Sequence, residues 1–208
     1  MTIHYDNLPL DHRIILDIVE NGASVLDLGC GSGELLSLLV QKKEARAQGI
    51  EIDDQAIYAC VARGLSVFHG DIDTGLIDFG DKTFDYVILN QSLQQVRKLE
   101  HVLRNSLRVG KKALIGFPNF AHYTSRLQIF LHGRTPVTAS LPYEWYDTPN
   151  LHFLSISDFT DYCRKKNIII EQAICIAGNR IVPWLPNLFA RTGIFLVAEA
   201  PADSLRRT

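Results

Sequence analysis

Val25-Leu26-Asp27-Leu28-Gly29-Cys30-Gly31-Ser32-Gly33 is an apolar run that opens into three glycines at alternate positions. Such a stretch reads as a short buried strand, Ser24–Leu28, turning sharply into a helix. Glycine lets the chain turn tightly there and lets a ligand touch backbone. Helical spacing flanks it on both sides. Leu10–Glu20 places Ile14, Ile15, Ile18 and Val19 on one face, and Asn21-Gly22 stops it as a helix C-terminus does. Glu34–Lys43 turns Leu35, Leu36, Leu38 and Leu39 inward.

The same alternation continues outward. Strands are expected at Arg46–Ile52, Leu65–His69, Phe84–Leu89 and Ala113–Phe117, with helices over Asp54–Arg63 and Lys98–Arg108. Strands alternating with helices, each strand continuously apolar, indicate a parallel sheet buried on both faces. Past Pro118 the pattern loosens into a helix over His122–His132 and a Pro- and aromatic-rich loop, Thr135–Pro149. A helix over Ser157–Lys166 follows, with Ser157 as its cap. Strands at Ile168–Ile176 and Ile194–Ala200 close the chain. The link between them, Ala177–Gly193, is too short for a parallel crossover helix with both turns, so an antiparallel final pair is expected. The result is a mixed sheet of about seven strands in a single α/β domain, 1–208, with a variable insert near 118–156.

Composition excludes several classes. The 208 residues carry 21 Lys+Arg against 23 Asp+Glu, a net −2, which lacks the basic balance of a nucleic-acid coat. Hydrophobic content of 47% with 21% charged residues is that of a folded globule. Met1-Thr-Ile-His-Tyr-Asp6 has no basic n-region or apolar core, and no run of 18 apolar residues exists. No leader and no membrane span are therefore expected. Cys30, Cys60, Cys163 and Cys175 lie far apart, with no C-x-x-C, and read as reduced thiols of a cytoplasmic protein. The seven histidines have no metal-ligand spacing, so no metal site is expected.

The glycine loop needs its neighbours to say what it holds. A dinucleotide fingerprint wants a third glycine where Glu34 stands, and a carboxylate there opposes a pyrophosphate at the positive end of a helix. A P-loop would need G-K-[ST], which is missing. Three acids at successive strand ends define the ligand instead. Asp27 is a strand-end carboxylate that needs a cationic partner. Glu51, in Gly49-Ile50-Glu51-Ile52-Asp53, is placed to accept both hydroxyls of a ribose. Asp71, in Gly70-Asp71-Ile72, is placed to accept from the exocyclic amine of adenine. Asn90 ends the fourth strand. All lie where strand order reverses, the ligand crevice of such sheets. A ligand with an ammonium, a ribose diol, an adenine and no phosphate satisfies them: S-adenosylmethionine, or its demethylated product S-adenosylhomocysteine. The candidate contact set is Asp27, Gly29, Cys30, Gly31, Gly33, Glu51, Ile52, Asp71, Ile72 and Asn90.

Asp27-Leu-Gly-Cys-Gly-Ser-Gly33 with Glu51 and Asp71 resembles the class I S-adenosylmethionine-dependent methyltransferase family over roughly Ala23–Phe117. Further blocks narrow the resemblance: Asn90-Gln-Ser-Leu-Gln-Gln95, Phe117-Pro-Asn-Phe120, Arg126-Leu-Gln128, Gly133-Arg-Thr-Pro-Val137 and Leu141-Pro-Tyr-Glu-Trp-Tyr-Asp-Thr-Pro-Asn150. Over about residues 8–200 these resemble the MetW family of methionine-biosynthesis proteins. The resemblance implies a three-layer Rossmann-like sheet in the order 3-2-1-4-5-7-6 with the last strand antiparallel. It also implies work beside a homoserine O-acetyl- or O-succinyltransferase.

No catalytic residue stands out. After the fourth strand the chain reads Asn90-Gln-Ser-Leu93, without the [DN]-P-P-Y that grips an amino nitrogen, and no Pro-Cys dipeptide is present. His122, His132 and His152 lack a visible orienting partner and read as edge histidines. Cys30 has no adjacent base or cation to lower its pKa. Arg97, Lys98, Arg104, Arg108, Lys111 and Lys112 read as a solvated helix face. Tyr143–Asp147, with three aromatics and two acids, is open between a lid over the ligand, a partner anchor and a lid packed on its own core. Ile181–Ala190 is open between an interface and a buried hairpin. Two functions compete: a ligand-binding partner or activating subunit of the acyltransferase, and a working methyltransferase on a small acceptor. Homo-oligomeric state stays open.

Overall fold

The computed structural model describes residues 8–200, so the reading of Met1–Asp6 falls outside the described residues. In chain order the elements are α1 (Leu10–Ile18), β1 (Ser24–Leu28), α2 (Glu34–Lys43), β2 (Arg46–Glu51), α3 (Asp54–Ala62), β3 (Ser66–His69), β4 (Phe84–Asn90) and α4 (Leu99–Val109). Then follow β5 (Gly110–Pro118), α5 (Tyr123–His132), α6 (Ile156–Lys165), β6 (Ile168–Ala177), β7 (Arg180–Ile181), α7 (Pro186–Phe189) and β8 (Thr192–Glu199). No helix among the described residues is long and apolar enough to cross a membrane.

The sheet runs β3-β2-β1-β4-β5-β8-β6-β7. Strands β1 to β5 are parallel, and β8 pairs antiparallel with both β5 and β6. The order expected from the family resemblance is present, with one addition: eight strands rather than seven. The extra strand is the two-residue β7, which folds back on β6 through Ile176↔Ile181 and Ala177↔Arg180. Two residues leave no periodic signal, so only the hairpin geometry shows it. The same hairpin, with the one-turn α7, fills the Ala177–Gly193 link and returns the chain antiparallel, as its length requires.

Side chains alternate across the central strands, and each set meets a helical layer. Leu26, Leu28, Val87, Leu89, Ala113, Ile115 and Phe117 pack in one cluster with α4 and α6. Val25, Tyr86, Ile88, Leu114 and Leu196 pack in the other with α1 and α2. This is why the central strands read as continuous apolar runs: period-2 alternation with both faces buried. Phe117, Phe159 and Phe195 lock β5, α6 and β8, with ring centroids 4.9–5.5 Å apart. The cap of α6 differs from expectation. Ser155, not Ser157, accepts from Asp158 N–H while the Asp158 carboxylate accepts from Ser155 N–H, a capping box. The S-x-x-D spacing was readable from Ser155; one helical start nearby obscured it.

The sheet's amino edge is polar and fully satisfied around β1 and β4. Asp85 accepts from Ser24 N–H and Oγ–H, both at 2.8 Å, and from Lys111 Nζ at 2.8 Å. Those donors, Lys111 first, hold its carboxyl down at about 2.

Candidate functional site

The carboxyl ends of β1, β2 and β3 meet a cleft of about 420 Å³. Its shape starts with the glycine loop. Gly29 N–H and Cys30 N–H both donate to the Ile50 carbonyl, at 2.8 and 3.3 Å, which ties the loop to the end of β2. Gly29 has φ +76°, and a Cβ there would come within 2.9 Å of Ser92 Cβ. Any other residue would push the loop off the segment that follows β4. Gly33, at φ +76°, lets α2 start against Cys60 and Leu65.

Glu51 organises the loop from below. Its Oε2 accepts from Gly31 N–H at 2.8 Å, and its Oε1 accepts from Ile52 N–H and Asp53 N–H at 2.8 and 3.0 Å. A carboxylate offers about four lone-pair sites, so roughly one is left for an outside donor. A ribose diol would take that one and displace the longest of the existing bonds for the other. Asp53 caps α3 by accepting from Ala56 N–H.

Asp27 is 3% exposed, and among the described residues nothing donates to its carboxylate. Burial first, and the charge of Glu51 second, push its carboxyl up to about 7. A buried acid left this way is costly unless a cation or a proton meets it. Ser92 Oγ, buried with no partner, lines the cleft on the far side. Asp71 lies exposed on the rim, and among the described residues its carboxylate accepts only from Asp73 N–H, at 2.9 Å.

The clamp on this wall was not anticipated from sequence. Asp73, 8% exposed, accepts from Arg97 N–H at 2.9 Å and Lys98 N–H at 2.7 Å. It thereby joins the segment after β3 to the segment after β4. Its acid was visible in Asp71-Ile72-Asp73, but backbone donors 24 and 25 residues onward carry no sequence mark.

Of the candidate set, Gly29, Gly31, Glu51, Ile52, Asp71 and Ile72 line the cleft. Asp27 lies buried beneath the loop. Cys30 turns toward Gly49 on β2 and, with Gly33, acts in packing. Asn90 is not among the lining residues: its Nδ2 donates to Asp11 on α1 at 3.0 Å, and the next residue, Gln91, lines the cleft instead. Cys30 and Cys60 lie beside each other under the loop, both thiols raised chiefly by burial. Neither is poised as a nucleophile.

The other marked residues resolve as follows. His122 is buried at the start of α5, where it accepts from Thr124 N–H, and burial lowers its pKa. His152 Nε2 bonds the Val96 carbonyl at 3.0 Å. Arg108 donates to the Leu76 and Phe79 carbonyls and to Asp81, while Lys111 and Lys112 pair with Asp85 and Glu171. The basic run is thus partly tied into structure. Trp145 and Tyr146 are 70% and 72% exposed, and no residue of Tyr143–Asp147 lines the cleft. Trp184 is 68% exposed and stacks on Phe189, centroids 5.7 Å apart, so Ile181–Ala190 is not a buried hairpin. A larger hollow, about 800 Å³ between α4 and α6, lies at the amino edge, away from every strand-end acid.

The family model described as "Methionine biosynthesis protein MetW" matches residues 9–197. The chain belongs to the MetW family. A relative from Rhodopirellula baltica, "Bifunctional methionine biosynthesis protein MetXA/MetW", is 38% identical over 200 residues, covering 90% of this chain and 32% of its own. The chain spans about a third of the length of the first curated relatives it matches, at 32% and 31%. Among solved structures, a TehB-like SAM-dependent methyltransferase from Corynebacterium glutamicum superposes with a TM-score of 0.62 at 20% identity, over 93% of this chain and 89% of that one. A possible histamine N-methyltransferase from Thermotoga maritima gives 0.66 at 14% identity, over 92% and 88%. This member of the MetW family therefore has the class I methyltransferase fold.

Proposed function

We propose that the chain binds S-adenosylmethionine or S-adenosylhomocysteine in the glycine-loop cleft and acts as partner or activating subunit of a homoserine O-acyltransferase. It does so in the cytoplasm, as a single domain over 1–208 with an insert near 118–156. One observation carries the ligand: a buried carboxylate, Asp27, that has no donor among the described residues and lies under a glycine loop beside which Glu51 and Asp71 line the cleft. A cationic nucleoside answers it, and a phosphate would not. Asp27 faces the ammonium, Glu51 takes the ribose, Asp71 the adenine amine, and Ile52 and Ile72 the apolar faces of the base. Asn90 steadies this set through α1 rather than by contact. S-adenosylmethionine, when bound, supplies a sulfonium-activated methyl group. The name of the Rhodopirellula relative, which joins MetXA and MetW in one bifunctional chain, supports the partnership.

The test has two arms. Calorimetry with S-adenosylmethionine on the full chain should give saturable binding that Glu51→Ala abolishes. Purified homoserine O-acetyltransferase or O-succinyltransferase from the same source should then bind the chain and change its acyl-transfer rate. Absence of both complex and rate change sinks the partner reading, whatever the ligand result. Transfer of labelled methyl groups from the ligand to a small molecule by the isolated chain would replace it with an active methyltransferase.

A further inference from the structure

A second hollow, about 690 Å³, opens at the carboxyl edge on the other side of Gln91. Gln91 borders both hollows. Its N–H donates to the Gly116 carbonyl at 2.8 Å, so the partition between them is pinned to the sheet. The lining brings together two residues 180 positions apart: Asp11, in the first turn of α1, and Arg191, just before β8. Both are half-buried.

Each is held by the fold. The Asp11 carboxylate accepts from Asn90 Nδ2 at 3.0 Å. Arg191 is fixed through its backbone, its N–H donating to the Ile176 carbonyl and its own carbonyl accepting from Asn119 N–H, each at 2.8 Å. Among the described residues neither side chain forms an ion pair. Behind Asp11, Asn90 Oδ1 is buried with no partner among the described residues. An acid and a base share one hollow, and among the described residues neither has an ionic partner.

We propose that this hollow binds a free α-amino acid with an uncharged side chain, Asp11 accepting from its ammonium and Arg191 donating to its carboxylate. A simple anion would be repelled by Asp11 and a simple cation by Arg191; a zwitterion meets both. The guanidinium presents a planar fork that matches a carboxylate in two parallel bonds. The rest of the lining carries no further charge: Leu10, Pro118 and Ile176 are apolar, and Ser140, Asn179 and Thr192 are neutral. A charged side chain would find no counterpart among the lining residues, the nearby Arg13 guanidinium being engaged by Asn179 Oδ1. This site stands independently of what the glycine-loop cleft binds.

The experiment titrates the full chain calorimetrically with L-leucine, L-threonine and L-methionine, then with the N-acetyl and α-amide derivatives of whichever binds tightest. At least one free amino acid should saturate, and each derivative should bind about tenfold or more weakly, a loss of one charged contact. Arg191→Gln should erase the preference for acid over amide, and Asp11→Asn the preference for amine over N-acetyl. Unfolding midpoints near that of the parent chain exclude misfolding as the cause. Glu51→Ala, which removes the nucleoside site, should leave amino-acid binding in place, so the two sites fail separately. No saturation with any of the three amino acids, or derivatives that bind as well as the parent, overturns the proposal. So does an unchanged preference in both variants.

Discussion

Strand β4 begins at one kind of edge and ends at another. At its start, Asp85 is surrounded by donors: Ser24 twice and Lys111 once. Beside its end, among the described residues, Asp27 on the neighbouring β1 has none, and Asn90 Oδ1 and Ser92 Oγ are buried without partners. The two aspartates accordingly shift in opposite directions, to about 2 and about 7. Both edges contain polar groups withdrawn from water. Among the described residues, the carboxyl edge beside β1 and β4 leaves an acid and two polar atoms unanswered, and unanswered buried polarity is destabilising unless something else binds it.

The largest expected effect breaks this contrast directly. Asp27→Asn should weaken S-adenosylmethionine binding by about a hundredfold or more, from loss of a desolvated charge contact. The same change should raise stability at pH 8. A carboxyl whose folded pKa is raised above its unfolded value stabilises fully below the unfolded value, and that contribution is lost as pH rises through the folded one. Between 3.8 and about 7 the loss for Asp27 is up to about 4 kcal/mol. Denaturant unfolding from pH 4 to pH 8 should fall in the parent chain and stay flatter in the variant. Nucleoside affinity in the parent should rise with pH up to about 7 and then level, as the proton on Asp27 gives way to the cation.

A smaller effect tests the wall. Asp73→Asn keeps the shape but loses the charged acceptor of Arg97 N–H and Lys98 N–H. It should cost about 2 kcal/mol in chemical unfolding and loosen nucleoside binding, with little effect at the Asp11 hollow. The smallest change is at the amino edge, with the opposite sign in pH. The depressed pKa of Asp85 stabilises above its unfolded value of 3.8 and is lost as pH falls through about 2. Because the Asp85 side chain is 31% exposed, solvent screening limits Asp85→Asn to about 1 kcal/mol at pH 7, vanishing toward pH 2. Parallel slopes for the Asp27 and Asp85 variants would remove the distinction between the edges.

Most of the sheet and the acids of the glycine-loop cleft were legible because their signals are local. A strand running into Gly29-Cys-Gly-Ser-Gly33 marks a turn wherever it occurs, and Glu51 and Asp71 each end a strand within 40 residues of the loop. What could not be read depends on where side chains turn. Asn90 ends β4 as expected, but it points to α1 and leaves Gln91 on the cleft. Glu51 was expected to be free for two hydroxyls, yet three backbone amides already use it. Ser155 and β7 were missed for a simpler reason: each is a one- or two-residue choice at an element boundary, where neighbouring signals compete.

The amino-acid sequence by itself determined the α/β layering, the antiparallel last strand and the acids that line the cleft at the glycine loop, because hydrophobic period, link length and charge are written in neighbouring residues. Only the tertiary structure decided that Asp27 has no donor among the described residues, that Asp73 clamps the wall and that Asp11 and Arg191 line one hollow. Burial and charge balance are properties of space, and residues 180 apart acquire them only when the fold brings helix α1 and the segment before β8 to the same edge.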